Sequence, residues 1–157
     1  MKDIKIKVGN DVLVTNGTGS IDTVFFIDYQ GKCFPCDQWT DFSYTILNWW
    51  TYLMLENAHK DSALLELFFM DGPYKMIVQK TASNLEFDCI HFNHNLIELS
   101  FVCTIVDFLY ALYDALKSLS KVLYNNGMNV GEIKPAYEQT NLMIKELRMA
   151  IEKLKSI

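Results

Sequence analysis

Cys33-Phe34-Pro35-Cys36 is the stretch whose residue types and spacing come nearest to a known chemistry. A Cys-x-x-Cys pair suits a redox dithiol when a helix N-terminus lowers the pKa of one thiol. Here the helical pattern starts several residues later, and no strand–helix–strand unit surrounds the pair. Zinc is the second use. Cys89, His91 and His94 lie close in sequence, and two of them with Cys33 and Cys36 would complete a four-ligand structural site. If this segment is a strand, Cys89 and His91 share a face with Leu85 and Phe87, where a core cysteine and a hydrogen-bonded histidine serve as well. A small cytosolic protein using Cys33 and Cys36 for thiol redox or structural zinc is therefore one self-consistent reading. His59 and Cys103 stand apart from any such grouping.

Other constellations are weaker. The chain has no Gly-x-Ser-x-Gly and, with only seven glycines, no phosphate-cradling loop ahead of a helix. Asp107 and Asp114 stand seven residues apart on a helical pattern, roughly 10.5 Å along the axis. That is too far for a hydrolytic carboxylate pair, and a solvated helix face accounts for both. The main expectation is a protein that is not an enzyme and needs no metal or cofactor.

The elements that must position these residues follow from periodicity. Residues 96–126 read as one long two-faced helix. Val102, Ile105, Leu109, Leu112, Leu116, Leu119 and Leu123 form its dry stripe, opposite Ser100, Thr104, Asp107, Ala111, Asp114, Ser118, Lys121 and Asn125. Asn125-Asn126-Gly127 supplies a stop. A second helix over 133–155 follows, its stripe of Ile133, Tyr137, Ile144, Leu147, Ile151 and Leu154 broken only by Thr140. The short connection predicts an antiparallel hairpin.

Ahead of the hairpin the chain reads mainly as strands. Ile4, Ile6 and Val8 alternate with lysines, and Val12-Leu13-Val14 could return beside them. Residues 16–20 read as a loop and 23–29 as a strand. A helix over about 41–57 has Thr40 or Asp41 as its cap, with Phe42, Ile46, Trp49 and Leu53 as one stripe beside Leu47, Trp50 and Met54. A meander follows over 64–70, 74–80 and 85–92, its first turn marked by Asp71-Gly72-Pro73. Strands before residue 93 and helices after it place the chain in the α+β class. The expected architecture is a single domain over 1–157: an antiparallel sheet, one inserted helix and a C-terminal helical hairpin packed on it.

Composition narrows the partner. Half of the residues are hydrophobic, which excludes a disordered chain. No secretory leader follows the charged first residues, and the longest uncharged apolar run, 42–55, is too short to span a bilayer. The expected place is the cytoplasm, with reduced cysteines and no membrane contact. Residues 1–98 hold 13 acidic and 7 basic side chains, a net −6, and residues 99–157 hold 6 and 7, a net +1, so the acidic excess of the chain resides in the first part. That disfavours nucleic acid and favours a basic protein partner.

The meander gives this partner a surface. If Leu65, Leu67, Phe69, Tyr74, Met76, Val78, Leu85, Phe87 and Cys89 point inward, then Glu66, Phe68, Lys75, Ile77, Glu86, Asp88, Ile90 and Phe92 point out. Aromatic anchors ringed by charge mark protein–protein surfaces, unless the helix over 41–57 covers them. The partner-binding candidates are Glu66, Phe68, Glu86 and Asp88 on that face, with Asp71 and Tyr74 at the turn. A homodimer through the hairpin is a further expectation, because Phe101, Phe108 and Val122 would widen its dry stripe.

One resemblance joins these stretches. Phe34-Pro35, Trp39-Thr40-Asp41-Phe42, Trp49-Trp50 and Phe69-Met70-Asp71-Gly72-Pro73-Tyr74 resemble a pattern in small bacterial immunity proteins of polymorphic toxin and contact-dependent growth inhibition systems. The resemblance covers about residues 24–80, omits Cys33 and Cys36, and leaves the C-terminal helices unmatched. It implies a protein that binds one cognate toxin domain, such as a nuclease, inside the producing cell and catalyses nothing itself.

Overall fold

Strand β3 is the axis of the N-terminal half. The structure, a computed structural model, describes residues 3–15, 20–128 and 131–156. The loop expected over 16–20 lies outside them, except for Ser20, which opens β3. That strand runs Ser20–Tyr29, and β1 (Ile4–Val8), β2 (Leu13–Thr15), β4 (Lys32–Phe34) and β5 (Thr40–Asp41) all pair with it, each antiparallel. β2 therefore returns beside β3, not beside β1 as the sequence suggests. Ten consecutive residues of β3 offer both edges to short partners, so β1 is satisfied without β2.

Helix α1 (Ser43–Asn57) follows, then the meander β6 (Ser62–Phe68), β7 (Tyr74–Thr81), β8 (Asn84–His91) and β9 (Leu96–Thr104), a four-stranded antiparallel sheet in sequence order. The strands thus divide between two sheets separated in sequence by α1. Helices α2 (Ile105–Asn125) and α3 (Ile133–Lys155) complete the chain. The pairs Tyr110–Lys155, Ser120–Asn141 and Tyr124–Tyr137 run in opposite directions along the two helices, so they form the expected antiparallel hairpin. The α+β class is as read from the sequence.

Residues 96–104 are corrected from helix to strand. Leu99 and Phe101 are buried while Ser100 and Val102 are exposed, a period of two, and β8 satisfies the backbone of this segment. Helical spacing is genuine only from Ile105. Thr104 caps α2 there, its hydroxyl accepting the Asp107 N–H at 3.1 Å. Within α2 the dry stripe holds, but Ala111 is buried too. Gly127 takes a φ of +117° just past the end of the helix, as the stop requires.

The cap of α1 is also corrected. Phe42 occupies the capping position and no side chain caps it. Asp41 lies in β5, where its carboxylate accepts from Trp39, Phe42 and the distant Asp71, and Thr40 is exposed.

The core lies where the two sheets meet α1 and α2. Phe25, Phe34, Trp50 and Phe69 are buried and in ring contact, with centroids 5.2–5.9 Å apart. Phe87 carries Phe108 of α2 at 4.8 Å. Burying rings of this size supplies the largest share of folding free energy per residue. Phe101, Phe108 and Val122 belong to this interior, so they do not form the exposed flanks offered for a homodimer.

Candidate partner-binding face

Register places the outer face of the meander residue by residue. One row across β6 to β9 is Leu64, Gln79, Glu86 and Val102. The next is Glu66, Ile77, Asp88 and Ser100, and the third is Phe68, Lys75, Ile90 and Ile97. All nine residues expected to point inward are buried or half-buried. The outer assignment holds in direction, with one correction in exposure. Ile90 is buried, because it sits on an interior strand between Lys75 and Ile97, next to the register shift of β8 against β9.

Helix α1 does not cover this face. It reaches the edge of β6, where the Trp50 indole N–H donates to the Phe68 carbonyl at 3.0 Å. Trp49, one residue earlier, turns the other way and is 43% exposed. Its ring stacks on Phe68 with centroids 6.5 Å apart, and Phe68 meets Phe92 edge-on at 6.2 Å. The Lys75 ammonium stands 5.4 Å from the Phe68 centroid and 5.8 Å from that of Phe92, and donates to Glu66 at 2.8 Å. The aromatic strip Trp49–Phe68–Phe92 thus holds one cation, which is already neutralised. Glu86 is exposed, and Asp88 accepts the Ser100 hydroxyl at 2.7 Å. Exposed Leu64, Ile97 and Val102 extend the apolar area along the two edge strands.

The Asp71 turn is fixed from below. The Asp41 carboxylate accepts three hydrogen bonds, from the Trp39 indole N–H at 3.0 Å, Phe42 N–H at 2.8 Å and Asp71 N–H at 3.1 Å. Burial pushes its pKa up, and these donors pull against that shift. Asp22 is raised by burial first and then by the charges of Asp41 and Asp71. Gly72 has a φ of +83°, and a Cβ there would lie 3.1 Å from the Tyr74 ring and 3.2 Å from that of Trp39. Tyr74 is half-buried and packs edge-on against Phe34, Trp39 and His91. Of the six residues expected to bind a partner, Glu66, Phe68, Glu86 and Asp88 share the outer face. Asp71 is exposed at the turn, and Tyr74 supports that turn from inside.

Sequence reasoning missed Trp49, Leu64, Ile97 and Val102. For Trp49 the signal was present, because the apolar arc of α1 is too wide for a single contact. Ile97 and Val102 were lost when β9 was read as helix.

The cysteines are not assembled. Cys33 is half-buried, Cys36 exposed and Cys89 buried, and all four are free. Among the described residues, no three His, Cys, Asp or Glu side chains gather so as to hold a metal ion. The Cys33 thiol is pushed up by burial and by Asp28 and Asp37, the reverse of what activates a redox thiol. Cys89 and Cys103 are pushed up to about 12, chiefly by burial. No helix among the described residues is long and apolar enough to cross a membrane. No family model, curated protein or solved structure matches this chain.

Proposed function

We propose that this protein is an immunity protein that binds a cognate bacterial toxin domain in a stoichiometric complex and neutralises it without catalysis of its own. The observation that carries the reading is the outer face of the meander. Trp49, Phe68 and Phe92 form an open aromatic strip on the same face as Glu66, Glu86 and Asp88. Large rings supply anchoring area at low entropic cost, and the carboxylates farther along the same face steer a basic partner and hold its register. The sheet is hydrogen-bonded along all three of its ladders, so this face is organised before the partner arrives. A toxin whose active site binds phosphates would present the complementary basic surface. The cytoplasm of the producing cell is the place where such protection is needed.

Calorimetry with the toxin domain encoded immediately upstream tests the proposal. One-to-one binding is expected, weakened by added salt and by Glu86→Lys with Asp88→Lys. No binding to that domain, or binding indifferent to both charge reversals and to Phe68→Ala, would overturn it.

A further inference from the structure

The hairpin carries a second surface of opposite character. Lys117 and Lys121 stand one turn apart on α2, and with Arg148 of α3 they line one groove of about 420 Å³. Tyr113, Tyr124 and Tyr137 line the same groove, and no carboxylate does. Ser120 donates to Asn141 across it at 2.7 Å. The Lys117 ammonium lies 5.4 Å from the Tyr113 centroid. Among the described residues the one ion pair is Lys75 with Glu66, so none of these three cations is neutralised by a carboxylate. Glu152 borders an adjoining cleft with Tyr113 and Arg148, but makes no ion pair there.

Three cations without a carboxylate partner along one shallow groove of a chain with net charge −5 call for an anion. Arginine's planar fork matches phosphate oxygens in pairs, and lysines add point charges beside it. A terminal phosphate carries about −1.5 to −2 at neutral pH and the inner phosphate of a diphosphate adds a further negative charge, so a diphosphate balances three cations better than one carboxylate would. The rings complete the match. Tyr124 is exposed and lies 5.7 Å from Tyr137, centroid to centroid, which leaves a flat face for an aromatic group. Clefts between helices are a common place for small-molecule sites.

We propose that the α2–α3 groove binds a nucleoside diphosphate, with Arg148, Lys117 and Lys121 on the phosphates and Tyr124 against the base. The site is independent of the toxin-binding face, and no residue of the meander lines it.

Titration calorimetry of the full chain with ADP, pyrophosphate and adenosine, run separately, tests this. ADP is expected to bind, more weakly as salt is raised. Arg148→Ala and Lys121→Glu should each weaken it about tenfold or more. Tyr124→Ala should weaken ADP but leave pyrophosphate unchanged, and adenosine alone should bind least. All three positions are exposed, so circular dichroism should show an unchanged fold. No heat with millimolar ADP, or ADP binding that survives both charge substitutions, would overturn the proposal. So would a glutamate-rich peptide that binds the groove when ADP does not. Pyrophosphate binding as tightly as ADP would overturn the placement of the base.

Discussion

Trp49 and Trp50 are neighbours in sequence and opposites in the structure, and so are Phe68 and Phe69. Trp50 and Phe69 enter the seam between the two sheets, where they meet Phe25 and Phe34 in a dry cluster. Trp49 and Phe68 stack on each other outside it, with Phe92 and Lys75. Both regions are rich in aromatics. They differ in what surrounds the rings. The seam rings are buried, so their area is already used for folding. The strip rings have the Lys75 ammonium, paired with Glu66, for a neighbour and one open side, so their area remains available for binding. Aromatic content alone does not distinguish a core from an interface. The phase of each residue on its element does.

Single substitutions on either side of this divide give the sharpest contrast. Trp50→Ala or Phe69→Ala should cost about 3–5 kcal/mol in chemical denaturation, because each leaves a cavity in the seam. Trp49→Ala and Phe68→Ala should cost less than about 1 kcal/mol and instead weaken the proposed complex with a toxin domain. Equal losses of stability from Trp49→Ala and Trp50→Ala would erase the distinction.

Asp41 joins the two regions, since it sits under the seam and holds the turn that borders the strip. Asp41→Ala removes the acceptor for three donors and should cost about 2–3 kcal/mol. Hydrogen exchange should then quicken at the Asp71 amide before it does in β7. An Asp71 amide as protected as in the parent would show that Asp41 is not the anchor.

Gly72→Ala is expected to cost about 1–2 kcal/mol, from the positive φ and the close approach of the Tyr74 and Trp39 rings. A neutral result in thermal melts would mean that the turn yields without disturbing the seam.

The smallest effect depends on pH. Asp22 and Asp41 both hold their protons more tightly than the ordinary value of 3.8 implies. Each is therefore charged at a cost in the folded state at neutral pH, and that cost disappears as pH falls through its raised pKa toward 4. Asp22→Asn should raise the melting temperature slightly at pH 7, and the gain should shrink as pH is lowered into that window. A gain independent of pH would mean that the charge of Asp22 is not the cause.

Much of the meander was legible in the sequence. Strict alternation fixes which residues face in, and all nine inward positions are covered as expected. Helix α3 could be read to its ends, because helical spacing of apolar residues runs over six turns, although Thr140, read as the break in the stripe, is itself buried. The boundary at Ile105 could not be read. A strand whose last apolar residues fall three before a helix's first is indistinguishable in spacing from one longer helix. What separates them is the hydrogen-bonding of β8, which lies outside the segment itself. Asp41 was hidden for the same reason. As an acid just before a helix it looks like a cap, yet the donors that claim it come partly from Asp71, thirty residues away.

By itself, then, the sequence determined the class, the inserted helix, the hairpin and the alternation of the acidic outer face. These depend on local periodicity, which the chain carries wherever it goes. Only the tertiary structure decided that the strands form two sheets, that Trp49 joins the outer strip while Trp50 enters the seam, and that Lys117, Lys121 and Arg148 meet in one groove. Those outcomes depend on contacts between residues distant in sequence. Such contacts form only after separate elements have buried their apolar faces against one another.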